Sequence, residues 1–243
     1  MKWLKNIWKS NKKTELDWRQ SDKERFAKSI KRKSSSAQIG GFRPSHEFGK
    51  SRIAGDFIMH KDEKWPNING EQLDPILQIN VDELPFAPNQ LKKYKLVTIF
   101  INLNSYEKTR EFKNNFEIRT YTTLNELEKR KCPISNHLKT FEINWEEKID
   151  TPSLEELVWL EGNPERRLPM SDVFYEMKLE EHWNSQTKVG GWPYSIQHEL
   201  DMESENYILQ IGSEEKAKLN WTDSGIVYIG INNGDWIIEH QFY

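Results

Sequence analysis

Two glutamines inside apolar runs are the side chains best placed to do chemistry. Gln78 stands in Ile76-Leu77-Gln78-Ile79 and Gln210 in Ile208-Leu209-Gln210-Ile211. A buried amide left unpaired costs about 1–3 kcal/mol, so each must be hydrogen-bonded, and backbone from the opposite half of the chain is the expected partner. The alternative places both amides in a cleft where they read a polar ligand between them. Gly190-Gly191 ahead of Trp192-Pro193 lets a backbone approach a ligand closely with Trp192 as a stacking wall; the plainer reading is a turn that aims the tryptophan into the core. Trp221, Asp223 and Gly225 mark a turn in which the Asp carboxylate accepts backbone N–H groups. Gln78, Gly190, Gly191, Trp192, Gln210, Trp221 and Asp223 are therefore the candidate ligand- or partner-contacting set, and no residue is assigned a catalytic role.

Other clusters carry less. Glu180-Glu181-His182 and His198-Glu199, followed by Asp201, Glu203 and Glu205, have neither a helical His-x-x-x-His pair nor a calcium-loop glycine, so no metal is expected. They read as a solvated acidic loop or as a contact surface for a basic partner. Gly49-Lys50-Ser51 ends like a phosphate-binding loop, but Pro44 occupies the position of the required first glycine, which removes the nucleotide reading. Cys132 precedes Pro133 in what reads as a helix end, with His137 nearby; nearness in sequence does not make a nucleophile pair. No cofactor is expected.

A single cysteine among 243 residues excludes an internal disulfide framework and favours a reducing compartment, so the expected location is cytoplasmic. Lysines at 2, 5, 9, 12 and 13 interrupt the first apolar residues, which argues against an export signal. Ten Trp, 11 Phe and 8 Tyr supply enough buried area to offset a polar composition and favour a folded chain. Residues 1–34 hold twelve Lys or Arg and four acids, a balance of +8, while the remainder holds 23 bases and 34 acids, a balance of −11. The expectation is a basic arm over residues 1–36, opening with a short amphipathic helix, on an acidic body over 37–243.

The elements that must position the candidate residues repeat. Ser51 to Phe57 is echoed by Thr187 to Pro193, Ile76 to Ile79 by Ile208 to Ile211, and Leu96 to Ile101 by Ile226 to Ile231, in the same order. This predicts an internal duplication, with a first copy over about 37–145, a second over about 150–243, and pseudo-two-fold halves in one domain. A helix is predicted from Ser21 to about Arg32, capped by Ser21 with Glu24, and Ser34-Ser35-Ser36 reads as a break. Strands are predicted at Ile76–Ile79, Leu96–Leu103, Phe116–Thr120, Phe141–Trp145 and Trp221–Ile231, and from Trp236 to Phe242. Asn233-Gly234 between the last two is a strong hairpin signal. Helices are predicted over Leu124–Lys131 and from Ser153 through Leu160. The fold class is α+β: largely antiparallel sheets, internally duplicated, with a few peripheral helices.

The same residues carry a family resemblance. Ser51 to Gly55, Trp65-Pro66, Leu77-Gln78-Ile79 and Leu84-Pro85, then Val189 to Pro193, Leu209-Gln210-Ile211, Trp221 to Gly225 with Tyr228, and Gln241-Phe242-Tyr243 together resemble the YwqG-like family of bacterial proteins. That resemblance implies an α+β fold built by duplication and brings no activity with it. Ala54 and Phe57 depart from the pattern, standing where its first copy has glycine and proline.

The resulting functional expectation leans away from an enzyme. It is a cytoplasmic protein-interaction module binding a protein partner, one concrete form being an immunity protein that neutralises a basic toxin by charge complementarity. The alternative is a small-ligand binder, or an enzyme, using the cleft between the copies. A third use, recruitment to an anionic membrane or nucleic acid through residues 1–34, is weakened by Glu15, Asp17, Asp22 and Glu24 within the basic run.

Overall fold

The structure is a computed structural model that describes residues 19–112, 115–153, 174–177, 186–197, 200–203 and 205–243. The expected helix at the extreme N-terminus, residues 154–160 of the later helix, and the Glu180-Glu181-His182 and His198-Glu199 groups lie outside these residues. The chain divides into two compact units, residues 1–31 with 151–183 and residues 32–150 with 184–243.

In the first unit, helix α1 runs Gln20–Ser29 and buries Phe26 and Ala27. Arg19 rather than Ser21 stands at its N-cap and no side chain caps it, so the expected Ser21–Glu24 capping box does not form. Lys23 pairs with Glu176 in the same unit. Among the described residues no helix is long and apolar enough to cross a membrane.

The second unit is mostly antiparallel β-structure. In chain order its elements are β1 (Arg32–Ile39), β2 (Arg52–Ile53), β3 (Phe57–His60), β4 (Asn67–Ile68), β5 (Glu71–Gln72), β6 (Asp74–Asn80), β7 (Leu96–Ile101), helix α2 (Leu103–Thr109), β8 (Phe116–Tyr121), β9 (Leu127–Arg130), β10 (Phe141–Asp150), β11 (Lys188–Gly190), β12 (Tyr207–Gly212), β13 (Ile226–Asn232) and β14 (Asp235–Gln241). Ten of these strands form one sheet in the order β14-β13-β12-β11-β1-β10-β2-β6-β7-β8, with β3-β9 and β4-β5 as separate two-stranded pairs. Central strands are covered on both faces, and their apolar runs divide between cores. From β7, Val97, Ile99 and Ile101 enter the main core, while Phe100 joins Phe57, Met59 and Leu73. From β13, Val227 and Ile229 enter the main core, while Ile226 and Tyr228 join Leu200, Met202 and Tyr207.

Several expectations are corrected. The triple serine is the middle of β1, and the expected arm boundary at residue 36 falls inside that strand. Ser34, Ser35 and Ser36 are buried on a strand paired on both sides, and short hydroxyls are accommodated under covered sheet faces. Ser35 Oγ donates to the Phe86 carbonyl at 2.7 Å and accepts from the Phe86 N–H at 2.9 Å. The predicted helix over Leu124–Lys131 is instead β9, held by pairing with β3 and by Arg130 Nη1 donating to the Lys61 carbonyl at 2.9 Å; tertiary pairing overrides its helical propensity. Leu103 opens α2 rather than ending β7, and the last hairpin's first strand starts at Ile226 rather than Trp221. β10 runs continuously through residues 145–150, the expected junction of the two copies. The Asn233-Gly234 turn forms as predicted, both residues at positive φ, as a type I′ hairpin requires.

Candidate functional site

Gln78 and Gln210 are fully buried, each on the strand beside a short strand that abuts the central pair. Gln78 is paired with Arg52 of β2, and Gln210 with Lys188 of β11. Gln78 Oε1 accepts from the Ile58 N–H at 2.8 Å, and its Nε2 donates to the Lys50 carbonyl at 2.8 Å. Gln210 Oε1 accepts from the Tyr194 N–H at 3.0 Å, and its Nε2 donates to the Gln186 carbonyl at 2.9 Å. Each amide thus stitches the segment before the neighbouring short strand to the segment after its turn. The partners come from the same half of the sheet, not the opposite half as expected. Four strands stand between β6 and β12, so the structure does not bring the two glutamines together. The segments beside them are fixed alike: Ser51 Oγ accepts from the Asn80 N–H at 2.9 Å and Thr187 Oγ1 from the Gly212 N–H at 3.2 Å.

Gly190 and Gly191 open a close approach to protein atoms. A Cβ on Gly190 would lie 2.6 Å from the Phe86 ring, and one on Gly191 only 2.3 Å from Asp150 Oδ2. That carboxylate accepts from Lys188 Nζ at 2.5 Å and from the Trp192 N–H at 3.0 Å. Lys188 and Asp150 are 2% and 4% exposed; burial pushes the Lys188 pKa down and Asp150 draws it part of the way back. Trp192 is buried, with the Arg32 guanidinium 3.3 Å from its ring centroid, a cation–π contact at close range. The left-handed pair recurs after β2, where Ala54 (φ 55) and Gly55 (φ 86) stand against Gly190 and Gly191 at φ 75 each. The alanine therefore keeps the turn conformation although L-residues pay about 1–2 kcal/mol there.

Sequence reasoning missed this ion pair. Its signal was Lys188 two residues before the glycine pair Gly190-Gly191, in the place where the first half has Arg52. Arg52 in turn faces Glu142 across the β2–β10 pairing. Burial favours the neutral form of Glu142, but hydrogen bonds from the Ser45 and His46 N–H groups and the Ser45 hydroxyl outweigh it and hold the carboxyl below its usual range.

Trp221 is fully buried where residues from α2 and the chain after it meet residues of β14. Its ring lies 5.5 Å from Tyr106 and 6.0 Å from Phe112, and His240 packs on both at 5.5 and 5.2 Å. Tyr106 Oη hydrogen-bonds Thr222 Oγ1 at 3.1 Å. Burial, reinforced by the Arg110 guanidinium, keeps His240 below its ordinary pKa. The indole N–H of Trp221 has no hydrogen-bond partner among the described residues. Asp223 is exposed, and it is its backbone carbonyl that accepts, from the Tyr243 N–H at 3.1 Å; among the described residues its carboxylate takes none of the expected N–H bonds.

The remaining candidates are also engaged. Lys50 pairs with Glu83 at 3.1 Å, and the Ser51 N–H donates to the same carboxylate at 3.0 Å. The Cys132 thiol donates to the Ile134 carbonyl at 3.5 Å, and burial pushes its pKa up. Among the described residues no three His, Cys, Asp or Glu side chains are grouped so as to hold a metal.

Two expectations follow. Gln78→Leu and Gln210→Leu should each lower stability by about 1–3 kcal/mol, and, being far apart in the sheet, should add in the double variant within about 0.5 kcal/mol; denaturant titration measures both. Gly191→Ala should cost more than Gly234→Ala, although both sites have positive φ, because nothing lies within 4 Å of a Cβ at Gly234. Thermal unfolding should place the first at roughly 3 kcal/mol or more and the second near 1–2 kcal/mol.

A family model described as a domain of unknown function, DUF1963, matches residues 51–241. No curated protein matches the chain. The matched stretch holds the glutamine stitches, the Lys188–Asp150 pair and the Trp221 cluster, and the chain belongs to the DUF1963 family.

Proposed function

We propose that the chain is a non-enzymatic binding module that holds a basic protein partner against an acidic groove beside β14, with a YwqG-like body built from two copies. The observation that carries the binding reading is the groove itself. It has a volume of about 420 Å³ and is lined by the apolar Met202, Ile237 and Ile238 and by Asp201, Glu203 and Glu239, with no Lys or Arg among the described residues of its lining. The acidic lining is pre-organised, because the Glu239 carboxylate accepts from the Asp201 N–H at 2.8 Å and the Met202 N–H at 2.6 Å. β14 is an end strand of the sheet. Acidic groups beside apolar surface suit a cationic segment carrying one or two apolar anchors: the charges speed encounter and the apolar residues supply affinity. Neutralisation of a basic toxin in the cytoplasm is one form this takes.

The duplication is supported by matched details on the two sides of the central pair. The glutamine stitches, the hydroxyls of Ser51 and Thr187, the basic residues Arg52 and Lys188, and the left-handed turn pairs recur in the same order. A ligand read jointly by Gln78 and Gln210 has no comparable support, since both amides are spent on backbone.

Affinity purification of the tagged full chain from its host tests the reading when paired with the triple variant Asp201→Lys, Glu203→Lys, Glu205→Lys. The expected result is a stoichiometric basic partner whose affinity falls at least roughly tenfold in the variant and declines with added salt. No partner, or one bound equally by both proteins, overturns it.

A further inference from the structure

We infer that the outer edge of β8 is a dimerisation surface, on which a second copy of this chain pairs its own β8 antiparallel about a two-fold axis at Ile118. β8 is an end strand of the ten-stranded sheet, and among the described residues β7 is its only strand partner. The Asn102 N–H donates to the Asn115 carbonyl at 2.8 Å, one step beyond the Ile101–Phe116 pair of the β7–β8 ladder. Hydrogen-bonded and non-hydrogen-bonded pairs alternate along an antiparallel ladder. Glu117, Arg119 and Tyr121 therefore turn their backbone groups toward β7, and Phe116, Ile118 and Thr120 turn theirs outward. Among the described residues no hydrogen bond reaches the outward N–H and carbonyl groups of those three. The side chains of Phe116 and Ile118 are only partly buried against the main core, whereas Val97, Ile99 and Ile101 of β7 are fully buried in it. An unpaired edge of this kind is a template for a further strand.

The residues of β8 select both the partner and the register. Two copies meeting at the same edge about a two-fold axis form a closed, self-complementary contact, and backbone pairing requires outward residues opposite outward residues. With Ile118 opposite Ile118, Phe116 stands opposite Thr120 and Glu117 opposite Arg119, each twice by symmetry. A two-residue slip sets Glu117 against Glu117 in one direction and Arg119 against Arg119 in the other, and like charges directly opposite are destabilising. In the favoured register the Glu117–Arg119 pairs fall at non-hydrogen-bonded positions, where side chains lie closer together. Within one copy Arg119 Nε already donates to Glu117 Oε1 at 2.6 Å, so the contact joins two ion pairs into a ring of alternating charge. Roughly six main-chain hydrogen bonds accompany it. Pairing β8 with β14 of a second copy, the other end of the sheet, is head-to-tail and does not close as a pair. No residue of β8 lines the groove beside β14, so the dimer and the binding reading fail independently.

Sedimentation velocity of the full chain, with amide hydrogen exchange read at low and high concentration, tests the inference. A monomer–dimer equilibrium is expected across roughly 1–100 μM. The Phe116, Ile118 and Thr120 amides should be protected only where the dimer forms, and the Glu117 and Arg119 amides at both concentrations. Thr120→Pro removes an outward N–H that β7 does not use, and Glu117→Lys sets a cation opposite Arg119. Each should weaken dimerisation at least roughly tenfold while the far-UV circular dichroism of the folded chain stays unchanged. A monomer at every concentration up to roughly 1 mM, a dimer whose outward β8 amides stay unprotected, or a dimer indifferent to both substitutions would overturn it.

Discussion

The pairing of β1 with β10 is the seam on which the sheet depends. Eight residues of β1 pair with eight of β10, from Arg32–Asp150 to Ile39–Ile143, and four strands continue on each side. Among the described residues no other strand pairing joins the two sides. β10 also carries a buried carboxylate toward each end, on one face by strand alternation. Asp150 holds Lys188 and the Trp192 N–H, while Glu142 holds the loop at Ser45 and His46 opposite Arg52. One strand therefore fixes the turn-bearing strand of both halves.

A buried ion pair adds little net stability over an apolar pair, because desolvation offsets most of the attraction, but losing one partner is severe. The contribution of Lys188 and Asp150 is better seen as geometric. Their pairing demands glycine at 191, leaves Trp192 under Arg32, and brings the chain to Tyr194, where Gln210 takes the N–H. The glutamine stitch and the ion pair are successive fasteners on one segment. The residues with the strongest apparent claim to bind a ligand are those that position backbone.

Much of the sheet was legible because its strands are buried on both faces and read as apolar runs, with a glutamine in β6 and another in β12. The hairpin at Asn233-Gly234 was legible because its turn chemistry is local. β1 was not: Arg-Lys-Ser-Ser-Ser-Ala-Gln-Ile reads as linker, and only covered sheet faces accommodate buried serines. β9 was not, since Leu-Glu-Lys-Arg carries helical propensity and its strand partner lies about seventy residues earlier. Asp150 was hidden at the end of the charged run Glu146-Glu147-Lys148, where nothing local separates a buried carboxylate from a solvated one. The need for partners at Gln78 and Gln210 followed from burial alone, but which backbone supplied them is a matter of topology.

The proposed groove lies beside β14, an end strand of the sheet among the described residues. Native-state hydrogen exchange addresses the seam itself. Amides at Ser36, Gln38, Asn144 and Glu146, which face the ladder, should exchange only through global unfolding, with the same opening free energy as Ile99 in β7 and Ile229 in β13. Exchange of the β1 and β10 amides through a much lower-energy opening, while β7 and β13 stay protected, would mean that the two halves stand independently and that the ladder does not hold them together.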